Sequence, residues 1–145
     1  KNIKFKETKI IFKKIKKESF FGYNKIKYND FEIFIANPEK TIIDSMLLKM
    51  VSFSEIKEIF LINKRKLKVN RLINYLKRIK NISLIKRIGY LLDLTGNDSY
   101  KKLKNFIDPT YIPLDYSKNK IGKRNKKWRL IINAWKRRNR KNFKN

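Results

Sequence analysis

The stretch that most constrains this chain is Phe31 to Met50, FEIFIANPEKTIIDSMLLKM. Its first residues alternate. Phe31, Ile33 and Ile35 fall on one face and Glu32 and Phe34 on the other, which is the period of a strand. A helix start follows at once: Asn37 can accept from orphan backbone N–H groups, Pro38 suits the first helical position, and Glu39 complements the positive end of the helix dipole. Ile42, Ile43, Met46, Leu47 and Met50 then recur at helical spacing and form a wide apolar face. This strand-to-helix hinge is expected to be the core on which the other elements pack.

Upstream, Ile3 and Phe5 alternate with lysines, and Lys9 to Lys17 carries Ile10, Phe12 and Ile15 among further lysines. Gly22, Asn24 and the pair Asn29-Asp30 punctuate the segment, which reads as an antiparallel meander with one wet, basic face. Lys13, Lys14, Lys16 and Lys17 can contact phosphates, but protection of a sheet edge explains them more simply.

Downstream the chain turns helical. Ser52-Phe53-Ser54-Glu55 is a capping box, followed by an apolar stripe of Phe53, Ile56, Ile59 and Phe60 up to Ile62. Lys64-Arg65-Lys66 suits the negative end of that helix. A second helix turns Val69, Leu72, Ile73, Leu76 and Ile79 inward. A third, with Ser83 as its cap, turns Ile85, Ile88, Leu91 and Leu92 inward and stops at Gly96. Gly89 lies inside it at a cost of about 0.5–1 kcal/mol against Ala, so another helix or strand is expected to approach closely there. A short helix with Tyr100, Leu103 and Phe106, capped by Asn97 or Asp98, ends at Asp108-Pro109. Tyr111 to Asp115 reads as an edge or bulged strand because of Pro113, and Lys127 to Ala134 as the last strand, with Trp128, Leu130 and Ile132 on one face. Helices with little strand between them exclude a βαβ repeat. The fold class is α+β, a small antiparallel or mixed sheet packed against a bundle of about five helices, forming one domain over residues 1–134 with a basic tail over 135–145.

Four signatures in this order resemble one known family. Ala36-Asn37-Pro38-Glu39-Lys40-Thr41-Ile42-Ile43-Asp44 is similar to the "small–Asp–Pro–Glu–Lys–Thr–apolar–apolar–Asp" motif in the C-terminal domain of AbiEi-type antitoxins. Lys86 to Asp93, KRIGYLLD, resembles the family's "Arg–Leu–Gly–Tyr–Leu–Leu–Glu" helix, with Gly89 and Tyr90 in register. Tyr111 to Asp115, a basic Gly-containing loop, then Lys127 to Asn133 with Trp128 resemble its closing strand pair. Phe20-Phe21-Gly22-Tyr23 sits where the family has an aromatic–Gly–aromatic stretch. The likeness runs from about Phe20 to Asn133, with Asn37 standing where the family usually has Asp; either residue caps a helix.

AbiEi-type proteins are transcriptional regulators and antitoxins of a bacterial and archaeal type IV, phage-defence toxin–antitoxin system. The resemblance implies that this domain contributes antitoxin action and auxiliary DNA binding. In the family a winged helix-turn-helix precedes this domain and reads the operon's own operator. It has no counterpart in this chain, which begins at Lys1 and reads as a piece of a longer protein. The functional partner implied is a nucleotidyltransferase toxin, without a stable complex. No cofactor, small-molecule ligand or membrane is implied.

Charge agrees with a polyanionic partner. Lys plus Arg number 39 against 12 Asp plus Glu, a net +27, while 41% hydrophobic content supports a folded chain. Part of the lysine content reads as the composition of an AT-rich genome. Cys and His are both absent, which removes disulfides, thiolate chemistry, the usual zinc sites and His-based acid–base catalysis. No apolar run approaches about 18 residues and no signal peptide is visible, so a cytoplasmic protein is expected.

Two basic segments are the candidate nucleic-acid contacts. In the loop YSKNKIGKRNKK, Lys118, Lys120, Lys123, Arg124, Lys126 and Lys127 can neutralise phosphates, and Gly122 lets a backbone come close. In the tail, Arg137, Arg138 and Arg140 offer bidentate contacts, with Trp135 and Phe143 interleaved. Such charge supports backbone binding rather than sequence reading. A metal-nuclease reading of Asp30, Glu32, Glu39 and Lys40 lacks the acidic–x–Lys pair on one strand. Glu39, Lys40 and Asp44 therefore read as structural, and the chain as not an enzyme. The alternatives are a general nucleic-acid module, including one for RNA, and a basic protein-interaction domain.

Overall fold

The structure is a computed structural model that describes residues 2–134. Asn2–Phe5 (β1) and Thr8–Ile11 (β2) form one antiparallel hairpin. Tyr23–Tyr28 (β3) and Phe31–Ala36 (β4) form a second, in the register Tyr28↔Phe31, Ile26↔Ile33, Asn24↔Ile35. Five helices follow: Pro38–Leu47 (α1), Phe53–Ile62 (α2), Val69–Ile79 (α3), Ile82–Leu94 (α4) and Tyr100–Leu103 (α5). Ile112–Pro113 (β5), Lys123–Asn125 (β6) and Leu130–Ile132 (β7) close the chain as a three-stranded sheet of order β5-β7-β6, with β5 parallel and β6 antiparallel to β7. The class is α+β, as the sequence predicts.

The hinge at residue 37 works as its residues dictate. The Asn37 carboxamide oxygen accepts from the Lys40 N–H at 3.0 Å, Pro38 occupies the first turn, and the Asn37 N–H donates to the Gly22 carbonyl at 2.8 Å. Only the helical half is core. Ile42, Ile43 and Met46 are buried, whereas Phe31, Ile33 and Ile35 are 72%, 39% and 48% exposed and Met50 is exposed too. Alternation fixes which residues share a face of β4; it cannot say that the residues of both faces stay exposed, with the Phe20 ring edge-on to Phe34 at 6.4 Å. The expected meander is likewise two separate hairpins, and β1 and β2 are exposed on both faces.

The core lies between the helices and the last sheet. Ile43, Phe53, Leu72, Leu76, Ile85, Ile88, Leu91, Leu92, Leu103 and Trp128 are all fully buried. The capping box at Ser52 forms in both directions. Ile59 and Ile62 face solvent rather than extending the stripe. The cap of α4 lies two residues before Ser83: Asn81 holds it, accepting from the Leu84 N–H at 2.9 Å. At α5 neither Asn97 nor Asp98 caps; Ser99 holds that position without a side-chain capping bond, its hydroxyl donating instead to the Gly89 carbonyl at 3.4 Å.

Among the described residues two lysines are fully buried, and each is paired as a buried charge must be. Lys40 pairs with Asp44 one turn on, and its ammonium lies 5.1 Å and 5.3 Å from the ring centroids of Phe21 and Tyr23. The Tyr23 hydroxyl donates to Asp44 at 3.2 Å. Glu39, also buried, accepts from the Lys68 N–H at 2.6 Å and Arg71 at 3.4 Å, tying α1 to the start of α3. Lys86 donates to Asp108 at 2.5 Å and the Thr110 carbonyl at 2.6 Å. Glu39, Lys40 and Asp44 thus all have structural partners.

Asn37 makes a further bond, donating from Nδ2 to the Tyr75 hydroxyl at 2.8 Å. Asn37→Ala is expected to cost about 1–2 kcal/mol, through the lost cap and the orphaned hydroxyl. Asn37→Asp keeps the cap and lets the Tyr75 hydroxyl donate instead, so it should cost well under half as much. Urea denaturation of the two variants checks this; equal losses would exclude the cap as the cause.

Candidate nucleic-acid interface

The basic loop is anchored at both ends by the strands that flank it. The Asn133 carboxamide oxygen accepts from the Asp115 N–H at 2.8 Å. Its Nδ2 donates to the carbonyls of Asp115 at 2.8 Å and Asn119 at 2.9 Å. Asp115 is fully buried and accepts from the Ser117 N–H at 3.0 Å and Oγ at 2.6 Å. Burial pushes the Asp115 carboxyl up, but the Ser117 hydrogen bonds and the Lys118 ammonium outweigh it and hold the group below the usual carboxylate range. From α4, Arg87 donates to the Pro113 carbonyl at 2.9 Å and the Leu114 carbonyl at 3.0 Å, which satisfies the edge of β5 that Pro113 leaves irregular.

The loop is not a plain connection between two strands. It contributes β6, so Lys123, Arg124 and Asn125 pair with Ile132, Ile131 and Leu130. Gly122 serves this sheet. A Cβ there would lie 2.7 Å from the Ile132 carbonyl carbon and nearer still to its oxygen, so β7 takes the room that sequence reading assigns to a phosphate. Trp128 is fully buried, donates from Nε1 to Asp93 at 2.8 Å, and rests its ring against Gly89 of α4 and, edge-on, against Tyr100 at 5.2 Å. The close approach expected at Gly89 is therefore a side chain, not a helix or strand. Tyr90, beside it, is half-buried next to Phe53 at 6.5 Å between ring centroids, and burial pushes its phenol up.

The loop cations divide into two groups. Lys118 is tethered, donating to the Ala134 carbonyl at 2.7 Å with Asp115 at 3.5 Å. Lys127 is tethered to Asp93 at 2.5 Å, with its ammonium 5.0 Å from the Tyr100 centroid. Lys120, Lys123, Arg124 and Lys126 are exposed and form no ion pair among the described residues. Alternation along β6 puts Lys123 and Arg124 on opposite faces, and Arg124 leans over the Tyr111 ring at 5.1 Å. Arg137, Arg138 and Arg140, with the rest of the tail, lie outside the described residues. Other cations that sequence reading does not assign, Lys49 after α1, Lys80 after α3 and Arg87, are brought to the same end of the molecule as Lys120.

Among the described residues no helix is long and apolar enough to cross a membrane, and no cluster of acidic residues is placed to hold a metal ion. Compared with models of protein families, with curated proteins and with solved structures, the chain finds no match.

Proposed function

We propose that this chain is the C-terminal domain of an AbiEi-type antitoxin and transcriptional regulator, contributing antitoxin action and backbone contacts to DNA. One observation carries the reading. The segments that give the resemblance are distant in sequence, yet they bond to each other in the fold. The Phe21-Gly22-Tyr23 stretch covers Lys40 and Asp44 and receives the Asn37 N–H. The Lys86–Asp93 helix holds Thr110, Pro113 and Leu114 through Lys86 and Arg87, and Trp128 through Gly89 and Asp93. Signatures that co-occur by chance have no reason to be contact partners.

Co-expression tests the antitoxin role. A full-length version of this protein is expected to restore growth arrested by its nucleotidyltransferase toxin; failure to restore it overturns the reading. DNA contact is tested separately, by duplex binding across a salt series. The free loop cations should make affinity fall steeply with salt, equally for operator and scrambled duplexes. Lys123→Glu combined with Arg124→Glu should weaken binding and make the log–log slope less negative by roughly 1.8, at about 0.9 for each of two contacts. An unchanged slope would remove the loop from the interface.

A further inference from the structure

Two cavities open beside each other at the end of the helical bundle where α1 stops and α3 turns into α4. One, of about 400 Å³, is bounded by Lys49, Arg87 and Lys120, with Met46, Ile112 and Tyr116 among its other walls. The second, of about 350 Å³, is bounded by Lys14, Lys16 and Lys80, with Ile15 and Ile79 behind them. They adjoin, because Leu47 and Asn81 line both. Among the described residues, no Asp or Glu lines either cavity. Of the nearby carboxylates, Asp44 is engaged by Lys40, Asp108 by Lys86, and Asp115 by Ser117 and Lys118, while Glu18, next to Lys16, is exposed and lines neither cavity.

A row of cations held around a concave, partly apolar surface that no described carboxylate lines focuses an attractive field on anions, even with Asp115 close enough to act on Arg87. The cations are also positioned. Lys49 and Arg87 lie 5.9 Å and 5.6 Å from the Tyr116 ring centroid, and the Tyr116 hydroxyl is fixed by the Val51 carbonyl. Lys49 and Lys80 both take left-handed backbone conformations, φ 53° and 55°, where Asn or Gly would be the less strained residue. Both are exposed.

We propose that the two cavities form one phosphate-binding groove that takes the sugar–phosphate backbone of a nucleic-acid strand. A strand carries a phosphate at every nucleotide, so it engages both cavities at once; a lone phosphate engages one. The inference rests on the reading above only for the class of ligand, since its residues, apart from Tyr116 and Lys120, are not those of the loop.

The test uses Lys49→Asn with Lys80→Asn, which keeps a residue tolerant of the left-handed backbone and removes both charges. Binding of a labelled single-stranded oligonucleotide to the purified chain is followed by fluorescence anisotropy across a salt series. The double variant should melt at the parent's temperature, bind about tenfold more weakly at low salt, and show a slope less negative by roughly 1.4, at about 0.7 per contact on a single strand. Lys123→Ala with Arg124→Ala serves as the loop reference. If only the loop variant loses affinity, the groove is not a site, while nucleic-acid binding stands. If the parent does not bind the oligonucleotide at low salt, both ideas fall. Inorganic phosphate and a mononucleotide are the competing arms. Displacement by either as effective, per phosphate, as by unlabelled oligonucleotide would overturn the strand and leave a site for a free phosphate.

Discussion

Gly89→Ala is expected to destabilise this protein by about 2–3 kcal/mol, although the same change in an ordinary helix interior gains about 0.5–1 kcal/mol. The sign reverses because of Trp128. A Cβ on Gly89 would stand 2.8 Å from the ring carbon Cε3 and nearer still to Cζ3 and Cη2, well inside van der Waals contact. The indole cannot swing aside: its Nε1 donates to Asp93, its edge meets Tyr100, and it is fully buried. Overpacking of this kind costs about 1–3 kcal/mol and more where the neighbour is rigid. For a chain of this length the melting temperature should fall by about 5–10 °C. A melting temperature equal to the parent's would refute the contact. Trp128→Phe supplies the complementary check. The smaller ring loses the bond to Asp93 and is destabilising by itself, but it makes room at position 89. Gly89→Ala should then cost less in the Trp128→Phe background than in the parent, and that coupling is the signature of direct contact.

What sequence could and could not reveal follows from how local each signal is. Helix starts were legible because a cap is a short-range bond: Asn37 reaches Lys40, and Ser52 and Glu55 reach each other. The inward faces of α3 and α4 were legible from period alone. Where two capping residues lie close together, period does not choose, and Asn81 rather than Ser83 starts α4. Partnership between distant segments was not legible. Alternation puts Phe31, Ile33 and Ile35 on one face without saying how far it is covered, and all three stay exposed. Gly89 signalled a close neighbour, but its identity, a tryptophan 39 residues on, is a property of the fold. The candidate interface behaves in the same way. The charge of the loop was legible; the tethering of Lys118 and Lys127 by Asp115, Ala134 and Asp93 was not. The groove gathers Lys14, Lys49, Lys80 and Lys120 from four separate connecting stretches, and no spacing rule connects them.

Asn133→Ala should have the largest effect of any single surface-proximal substitution, about 3 kcal/mol, and it should reach the candidate interface. One carboxamide holds the start of the basic loop, accepting from the Asp115 N–H and donating to the carbonyls of Asp115 and Asn119. Truncation orphans a buried N–H and carbonyl groups, each costing about 1–3 kcal/mol when left unpaired. The loop from 116 to 122 then keeps the Lys118 bond to the Ala134 carbonyl and the Tyr116 bond to the Val51 carbonyl. Two outcomes follow from one cause. The urea midpoint should fall, and trypsin should cut at Lys118, Lys120, Lys123 or Arg124 under conditions where the parent is resistant. Nucleic-acid affinity should fall as well, because cations that must be ordered on binding lose part of their interaction energy to that ordering. Asn133→Asp separates bonding from volume. It has the same shape and keeps the acceptor for the Asp115 N–H, but it cannot donate to the two carbonyls and sets a second carboxylate beside Asp115. It is therefore expected to be at least as damaging as Asn133→Ala at neutral pH. If the aspartate restored stability and protease resistance, the carboxamide's donated bonds would not be what holds the loop, and the order of the four free cations would need another source.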